Sequence, residues 1–461
     1  MNIFGEIWCK YNKLPLWCRV LIAGCIAFGS VIRYVNLFNL GFTFDMVATQ
    51  YQWGKNGFEM GYFSFWRDYK GFFDYTSLSL LFEILVYWIS LIGGGSAQAF
   101  VTTLKLVNWL VDILFCYGVW RVVDSQNLLD ESHQKKLYAC LALLYASPVL
   151  WFISAVWGQN DTLIVLGGLI AIYLARHKQY WRSALVFTIT FWIKQQVILI
   201  IPTLAIVILT QQHSEQTFSK KVYLKVYLRI VAVYVLVFLG ISLFLYTPLA
   251  FLDLNRAGNS AFAAFLREDR IGFGASTFWT LVNIAGKGSQ PLFFLTVTIW
   301  GYIIFLLCTV FVGHLMVQKK QQITWLDLSV FTTVCTSSYF LFVTKMHSRY
   351  LHFGVLWACI SLVFLLKNNL QKDATQRIQV VQWITGMVVM FTGYTLNQIG
   401  SFAVTSVWGF DNPDPSWVRW VFYQFPVDVG WLAALLNSIG FCILFWTGKS
   451  IIKKTQLEKI V

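Results

Sequence analysis

Acidic residues are scarce in this chain. Only 21 of 461 residues are Asp or Glu, against 35 Lys or Arg, and charged residues of both signs make up 12%. A typical soluble domain carries about 25%, so an ordinary water-facing shell is excluded. Several catalytic signatures are missing as well. There is no Walker A loop, no GxGxxG opening a helix, no HExxH and no CxxC. A DxD-type acid pair, which would grip a metal on a nucleotide-sugar diphosphate, is also absent. Sugar-nucleotide chemistry in a soluble domain is therefore not expected.

What the chain has is apolar length. Mean hydropathy is +0.62 and aromatics reach 18%. Many apolar runs are on the order of 20 residues, the length that spans a bilayer. They are continuous and do not alternate, which excludes a membrane β-barrel. The class is an all-α polytopic membrane protein forming one integral unit. The net charge of +14 does not point to nucleic acid, because the basic residues sit between the apolar runs. Examples are Lys10, Lys13 and Arg19; Arg176, Lys178 and Arg182; Lys220, Lys221, Lys225 and Arg229; Lys367, Lys372 and Arg377; and Lys449, Lys453 and Lys454. That distribution is the positive-inside signature. The box IAGC (22–25) matches a lipoprotein cleavage site, but its apolar lead-in is broken by Arg19 and reads better as a first span. None of the nine cysteines falls in an expected external loop, so they read as small apolar residues or reduced thiols.

Spans are expected near 18–38, 101–122, 138–156, 162–177, 182–194, 197–211, 229–247, 291–317, 326–344, 350–366, 378–396 and 430–448. Counted from a cytoplasmic N-terminus (1–19), they put every basic loop on the cytoplasmic side, including the tail 449–461. Segments 40–100, 248–290 and 397–429 are then external, with helical modules at 101–247 and 291–448. Two stretches decide this count. SLSLLFEILVYWISLIGGG (77–95) is long enough to cross, yet crossing would turn every later basic loop outward. It is expected to lie in, or dip into, the outer leaflet. In SALVFTITFWIKQQVILIIPTLAIVIL (183–209), one long helix would bury Lys194 at mid-depth, at a cost of ~2.5–3.5 kcal/mol. Two short passes with Lys194, Gln195 and Gln196 near the outer face avoid that cost.

Four constellations could carry chemistry. Asp45, in GFTFDMVATQYQW (41–53), follows the first span; a lone carboxylate at the boundary suits a general base, and otherwise a helix cap or solvated charge. Asp74, in GFFDYTSL (71–78), is a possible second acid. In SAVWGQND (154–161), Trp157, Gln159, Asn160 and Asp161 offer stacking and hydrogen bonds to a sugar, or else Asp161 caps the next helix. WIKQQ (192–196) puts Lys194 where it holds a phosphate, pairs with an acid or snorkels. TKMHSRYL (344–351) clusters Lys345, His347 and Arg349, with Arg suited to bidentate phosphate binding and a lipid-headgroup anchor as the alternative.

Together these stretches resemble the GT-C superfamily of polytopic glycosyltransferases. The nearest pattern is that of bacterial relatives of the second mannosyltransferase of GPI-anchor synthesis, and the glucosyltransferases of N-glycan assembly are similar. The early Asp followed by Trp matches Asp45 and Trp53. The family's Asp-Tyr-Pro-Pro-Leu matches Asp74, Tyr75 and Leu78, with Thr76 and Ser77 replacing both prolines. Val-Trp-Gly-Gln-x-Asp matches Val156 to Asp161. Lys-Pro-Gln matches Lys194 and Gln196, with Gln195 for the proline. Met-His-Glu-Arg-Tyr matches residues 346 to 350, with Ser348 for the Glu. An Asn-x-Trp-like feature falls on Phe278 and Trp279.

The resemblance implies a GT-C fold of about 12 transmembrane helices, with membrane-lying helices in the long first external loop. It implies transfer of a hexose, mannose or glucose, from a polyprenyl monophosphate to an acceptor hydroxyl on the extracytoplasmic face of the plasma membrane. Asp45 would be the base. Lys194, Arg349, His347 and Lys345 would hold the donor phosphate. Tyr75, Trp157, Gln159, Asn160, Asp161, Gln196, Trp279 and Tyr350 would contact sugar or acceptor. No cofactor or divalent metal is expected, since the leaving group is a monophosphate. Partners would be the lipid-linked sugar, membrane lipids and a glycan, lipid or protein acceptor, with no nucleic acid. A flippase or other transporter, and an inactive homologue, remain alternatives, the last because of the lost prolines and Ser348.

Overall fold

The computed structural model describes residues 11–39, 44–71, 73, 75–125, 131–213, 220–253, 272–273, 275–282, 284, 287–319, 323–344, 346–368, 374–406 and 429–457. Helices dominate. Among the described residues five are long and apolar enough to cross a membrane: α1 (Leu16–Leu37), α5 (Ala97–Asp124), most of α11 (Lys220–Leu252), α13 (Val297–Gln318) and most of α17 (Val429–Leu457). At 22 residues a helix is about 33 Å long, enough for a hydrocarbon core of about 30 Å. A sixth crossing is possible where α6 (Glu131–Ala146) meets α7 (Pro148–Trp151) and the π-helical turn Phe152–Trp157, bent by 41°. Pro148 opens α7 and lacks the N–H that would continue α6 without a break. Large apolar side chains on the outer helices are exposed, among them Trp17 and Val31 on α1 and Leu243 and Phe244 on α11. In water such faces would aggregate, and in a bilayer they meet lipid. The remaining expected passes fall on helices that are shorter or less apolar.

The buried centre is built from α8 (Asp161–Arg176), α9 (Tyr180–Ile193), α10 (Ile201–His213), α14 (Trp325–Phe342) and α15 (Leu351–Asn368). Its core joins Phe115, Trp157, Ile172, Phe331 and Trp357. α14 buries an unusual run of hydroxyls. Thr332, Thr333 and Thr336 donate to the carbonyls of Leu328, Ser329 and Thr332, at 2.7, 2.8 and 2.7 Å. Back-bonding of this kind lets Thr enter an apolar core without an orphaned donor.

The chain turns back at Lys194. Ser183 Oγ donates to Ala171 O (2.7 Å) and Thr190 lies against Gly167, so α9 runs antiparallel to α8. Ile200 lies against Gly168. Residues 190 and 200 therefore stand at one level along α8, with Lys194 beyond them beside Asp161. A single straight helix over 183–209 could not do this. Lys194 is extended (φ −156°, ψ 117°), and a 3-10 turn, Gln195–Ile200, leads into α10.

The first connecting segment is helical too. It holds the π-helical segment Phe44–Tyr51, α2 (Gln52–Met60), α3 (Tyr62–Asp68) and α4 (Ser77–Ser90), with a 3-10 turn, Leu91–Gly93, after α4. With the 3-10 turn that continues it, α4 forms one apolar stretch, Ser77–Gly93, that rises about 27 Å, just under a hydrocarbon thickness of about 30 Å. Its start is anchored inward: Thr76 Oγ1 donates to Trp192 O, and Ser77 N donates to Tyr246 Oη at 3.2 Å. The all-helical expectation omitted four two-residue strands. Gly272–Phe273 (β1) pairs in parallel with Met346–His347 (β4), and Pro291–Leu292 (β2) pairs antiparallel with Leu295–Thr296 (β3).

Candidate functional site

The site is centred on the turn between the π-helical end at Trp157 and the start of α8. Gly158 makes this turn possible. Its φ of +92° is left-handed backbone that strains other residues, and a Cβ there would strike Met46 Sδ at 2.6 Å. Asn108 Nδ2 of α5 donates to Gly158 O at 2.9 Å and pins the turn from below. Lys105, one turn earlier on α5, donates from Nζ to Asn36 O (2.8 Å) and Asn39 O (2.7 Å). It thereby satisfies carbonyls at the end of α1. These contacts bring the exit of α1, the Phe44–Tyr51 segment and the 157–161 turn together.

Asp161 then enters α8 as its first residue. It does not cap the helix; Asn160 occupies the cap position. Its carboxylate is 0% exposed and faces two cations. Lys194 Nζ donates to Asp161 Oδ1, and also to Gln159 Oε1 (3.3 Å) and Asn160 Oδ1 (3.2 Å). Arg349 Nε stands 3.7 Å from Asp161 Oδ2. Both cations are 3% exposed, so Lys194 does not snorkel. The Arg349 guanidinium lies 5.8 Å from the Trp157 ring centre, and its Nη2 donates to Tyr75 Oη at 3.4 Å. The trio of Asp161, Lys194 and Arg349 carries one net positive charge in a buried setting. In such a setting electrostatic interactions are stronger than in water.

Residues expected from four separate stretches therefore converge: Tyr75; Trp157, Gln159, Asn160 and Asp161; Lys194; and Arg349. Gln196 follows in the 3-10 turn, half-buried, and its Oε1 accepts no hydrogen bond among the described residues. Two more of the residues expected to contact sugar or acceptor are buried. Trp279 is 2% exposed, and its Nε1 donates to Phe342 O at 2.6 Å, wedging the short α12 (Phe278–Leu281) against α14. Tyr350 is buried in the main core. Asp45 belongs to the Phe44–Tyr51 segment by its backbone, one residue before Met46. Its side chain, that of His347, and the whole of Asp74 and Lys345 lie outside the described residues.

Sequence reasoning missed the polar layer around this site. Thr162 Oγ1 lies 3.4 Å from His352 Nε2, and Tyr394 Oη lies 3.4 Å from His352 Nδ1. Arg33 and Asp112 pair by two hydrogen bonds of 2.7 and 3.0 Å, and Ser154 Oγ donates to the same Asp112 oxygen at 2.6 Å. The available signal was an ionisable residue inside an apolar run. It marks Arg33, Asp112 and His352 singly, without naming their partners.

Comparison with known proteins adds no relative: no family model matches the chain, and no curated protein matches it at a significant level.

Proposed function

We propose that the chain is a glycosyltransferase of GT-C type. It would move a hexose from a polyprenyl monophosphate to an acceptor hydroxyl at the extracytoplasmic face of the plasma membrane. The supporting observation is the convergence of Lys194 and Arg349 on Asp161, beside the segment that carries Asp45.

The charge suits the donor. A polyprenyl-phosphate sugar is a phosphodiester with one negative charge, matching the surplus of the trio. As transfer proceeds, the bond from the anomeric carbon to the phosphate oxygen breaks and its electron pair stays on that oxygen. The new charge develops where Lys194 and Arg349 are already fixed, which is electrostatic stabilisation without reorganisation. Asp161 keeps the two cations from drifting before the donor arrives. The acceptor oxygen attacks from the opposite face with inversion, through an oxocarbenium-like transition state, and its proton passes to Asp45. Lys345 and His347 would add to the phosphate site. Trp157, Gln159 and Asn160 would line the sugar.

Ser77–Gly93 stops just short of crossing length, which favours this reading over transport, for which a full crossing at 77–95 would be expected. Twelve passes, with α4 lying at the membrane surface, belong to the same proposal.

The test is an assay of purified protein with polyprenyl-phosphate mannose, glucose and arabinose against glycan and lipid acceptors. Transfer from a hexose donor is expected. General-base help contributes about 10²–10⁴-fold, so Asp45→Asn is expected to lower turnover by that factor with little loss of donor binding. Full activity in Asp45→Asn removes the assignment of the base, and no transfer from any donor removes the enzyme reading.

A further inference from the structure

Glu83 is the one acid of α4, and the mechanism above does not use it. It is 2% exposed, and its Oε2 accepts no hydrogen bond among the described residues. Helical spacing fixes where it lies. Thr76, Glu83 and Tyr87 fall on one face of α4, at intervals of seven and four residues. At one end of that face Thr76 is tied to Trp192, two residues before Lys194. At the other, Val86 and Tyr87 pack with Met46, which touches Gly158. Glu83 therefore lies between the Lys194 bend and the segment bearing Asp45. Gly54 of α2 packs on the α4 backbone at this level: a Cβ there would come within 2.6 Å of the Glu83 carbonyl oxygen. Burial pushes the Glu83 carboxyl up to about 8, with the Lys194 charge pulling the other way.

A buried polar group without a partner costs about 1–3 kcal/mol, more if charged. Its neighbours on the same inward face include Leu80 and Val86, and a leucine at 83 would avoid that cost. A second orphan acceptor, Gln196 Oε1, stands just past Lys194. We propose that Glu83 is a sugar contact, receiving hydroxyls of the hexose whose phosphate is held by Lys194 and Arg349. This rests on the glycosyl-transfer reading. A neutral carboxyl both donates and accepts a hydrogen bond, as a sugar hydroxyl does.

The experiment compares two probes on the full-length protein in nanodiscs: polyprenyl-phosphate mannose or glucose, and bare polyprenyl phosphate. The quantity read is the ratio of their dissociation constants. In Glu83→Leu this ratio is expected to shift against the sugar-bearing lipid by about tenfold, the worth of one buried hydrogen bond. Affinity for the bare lipid stays unchanged, and the thermal midpoint rises because the orphan carboxyl is gone. Glu83→Ala serves if Glu83→Leu does not fold. An unchanged ratio, or equal losses for both lipids, overturns the role of Glu83 and leaves the parent reading standing. Wild-type protein that binds neither lipid overturns the parent reading and this one with it.

Discussion

Two buried ion clusters lie close together in this molecule, and they are built differently. At Arg33 and Asp112, one cation meets one acid. The guanidinium donates twice to Asp112, and also to Gly29 O (2.9 Å) and Tyr145 O (3.1 Å), with the Tyr145 ring 4.3 Å beneath it. Ser154 closes the shared Asp112 oxygen at 2.6 Å, and Asp112 Oδ1 accepts no hydrogen bond among the described residues. At Asp161, two cations meet one acid. Lys194 reaches Gln159 and Asn160, and Arg349 reaches Asp161, at longer range, from 3.2 to 3.7 Å. The first cluster is neutral and tight, and fastens α1 to α5 and α6. Among the described residues the second sets two cations against one acid, at longer range. Burial of ions is common to both, so burial alone does not mark a binding site. The proposed anion site rests instead on two cations set against one acid among the described residues.

The largest effect is expected at the tight cluster. Removing one partner of a buried pair costs about 3–5 kcal/mol. Asp112→Ala is therefore expected to lower the thermal midpoint sharply, and Arg33→Met with Asp112→Leu to recover most of the loss. If the single variant melts like wild type, the pair does not fasten the helices. Arg349→Ala is expected to act on binding. A hydrogen bond to a charged group contributes about 1.5–3 kcal/mol, so affinity for polyprenyl phosphate falls about 10- to 100-fold, measured by titration. A drop in stability as large as that of Asp112→Ala, with affinity intact, would erase the distinction between the clusters. Smallest is Tyr75→Phe, which deletes one hydrogen bond of 3.4 Å. It is expected to weaken the same binding by only a few-fold.

The site was more legible in the sequence than the fold around it. Gln159, Asp161, Lys194 and Arg349 stand out because polar residues at the ends of apolar runs are few. The turn at Lys194 was legible for the same reason, since a lysine at mid-helix is costly. The Arg33–Asp112 pair was not legible. Its members are 79 residues apart, and only the packing of α1 on α5 joins them. The π-helical turns at 44–51 and 152–157 also left no trace, because shifting the hydrogen bond by one residue hardly alters an apolar pattern. The short aromatic motif at Trp279 gave no sign of the packing it makes, in which the indole holds α12 against α14. Hydropathy found the apolar runs but not the helices they become: among the described residues five meet both the length and the apolarity of a crossing, where twelve passes were expected.

The most direct test of the Asp161 cluster as an anion site is the thermal midpoint of the purified protein as polyprenyl phosphate is added, with phosphate-free polyprenol as control. A midpoint that rises with the phosphate lipid in wild type, much less in Arg349→Ala, and not at all with polyprenol is the predicted result. An equal rise in wild type and Arg349→Ala, or the same rise with polyprenol, would contradict it.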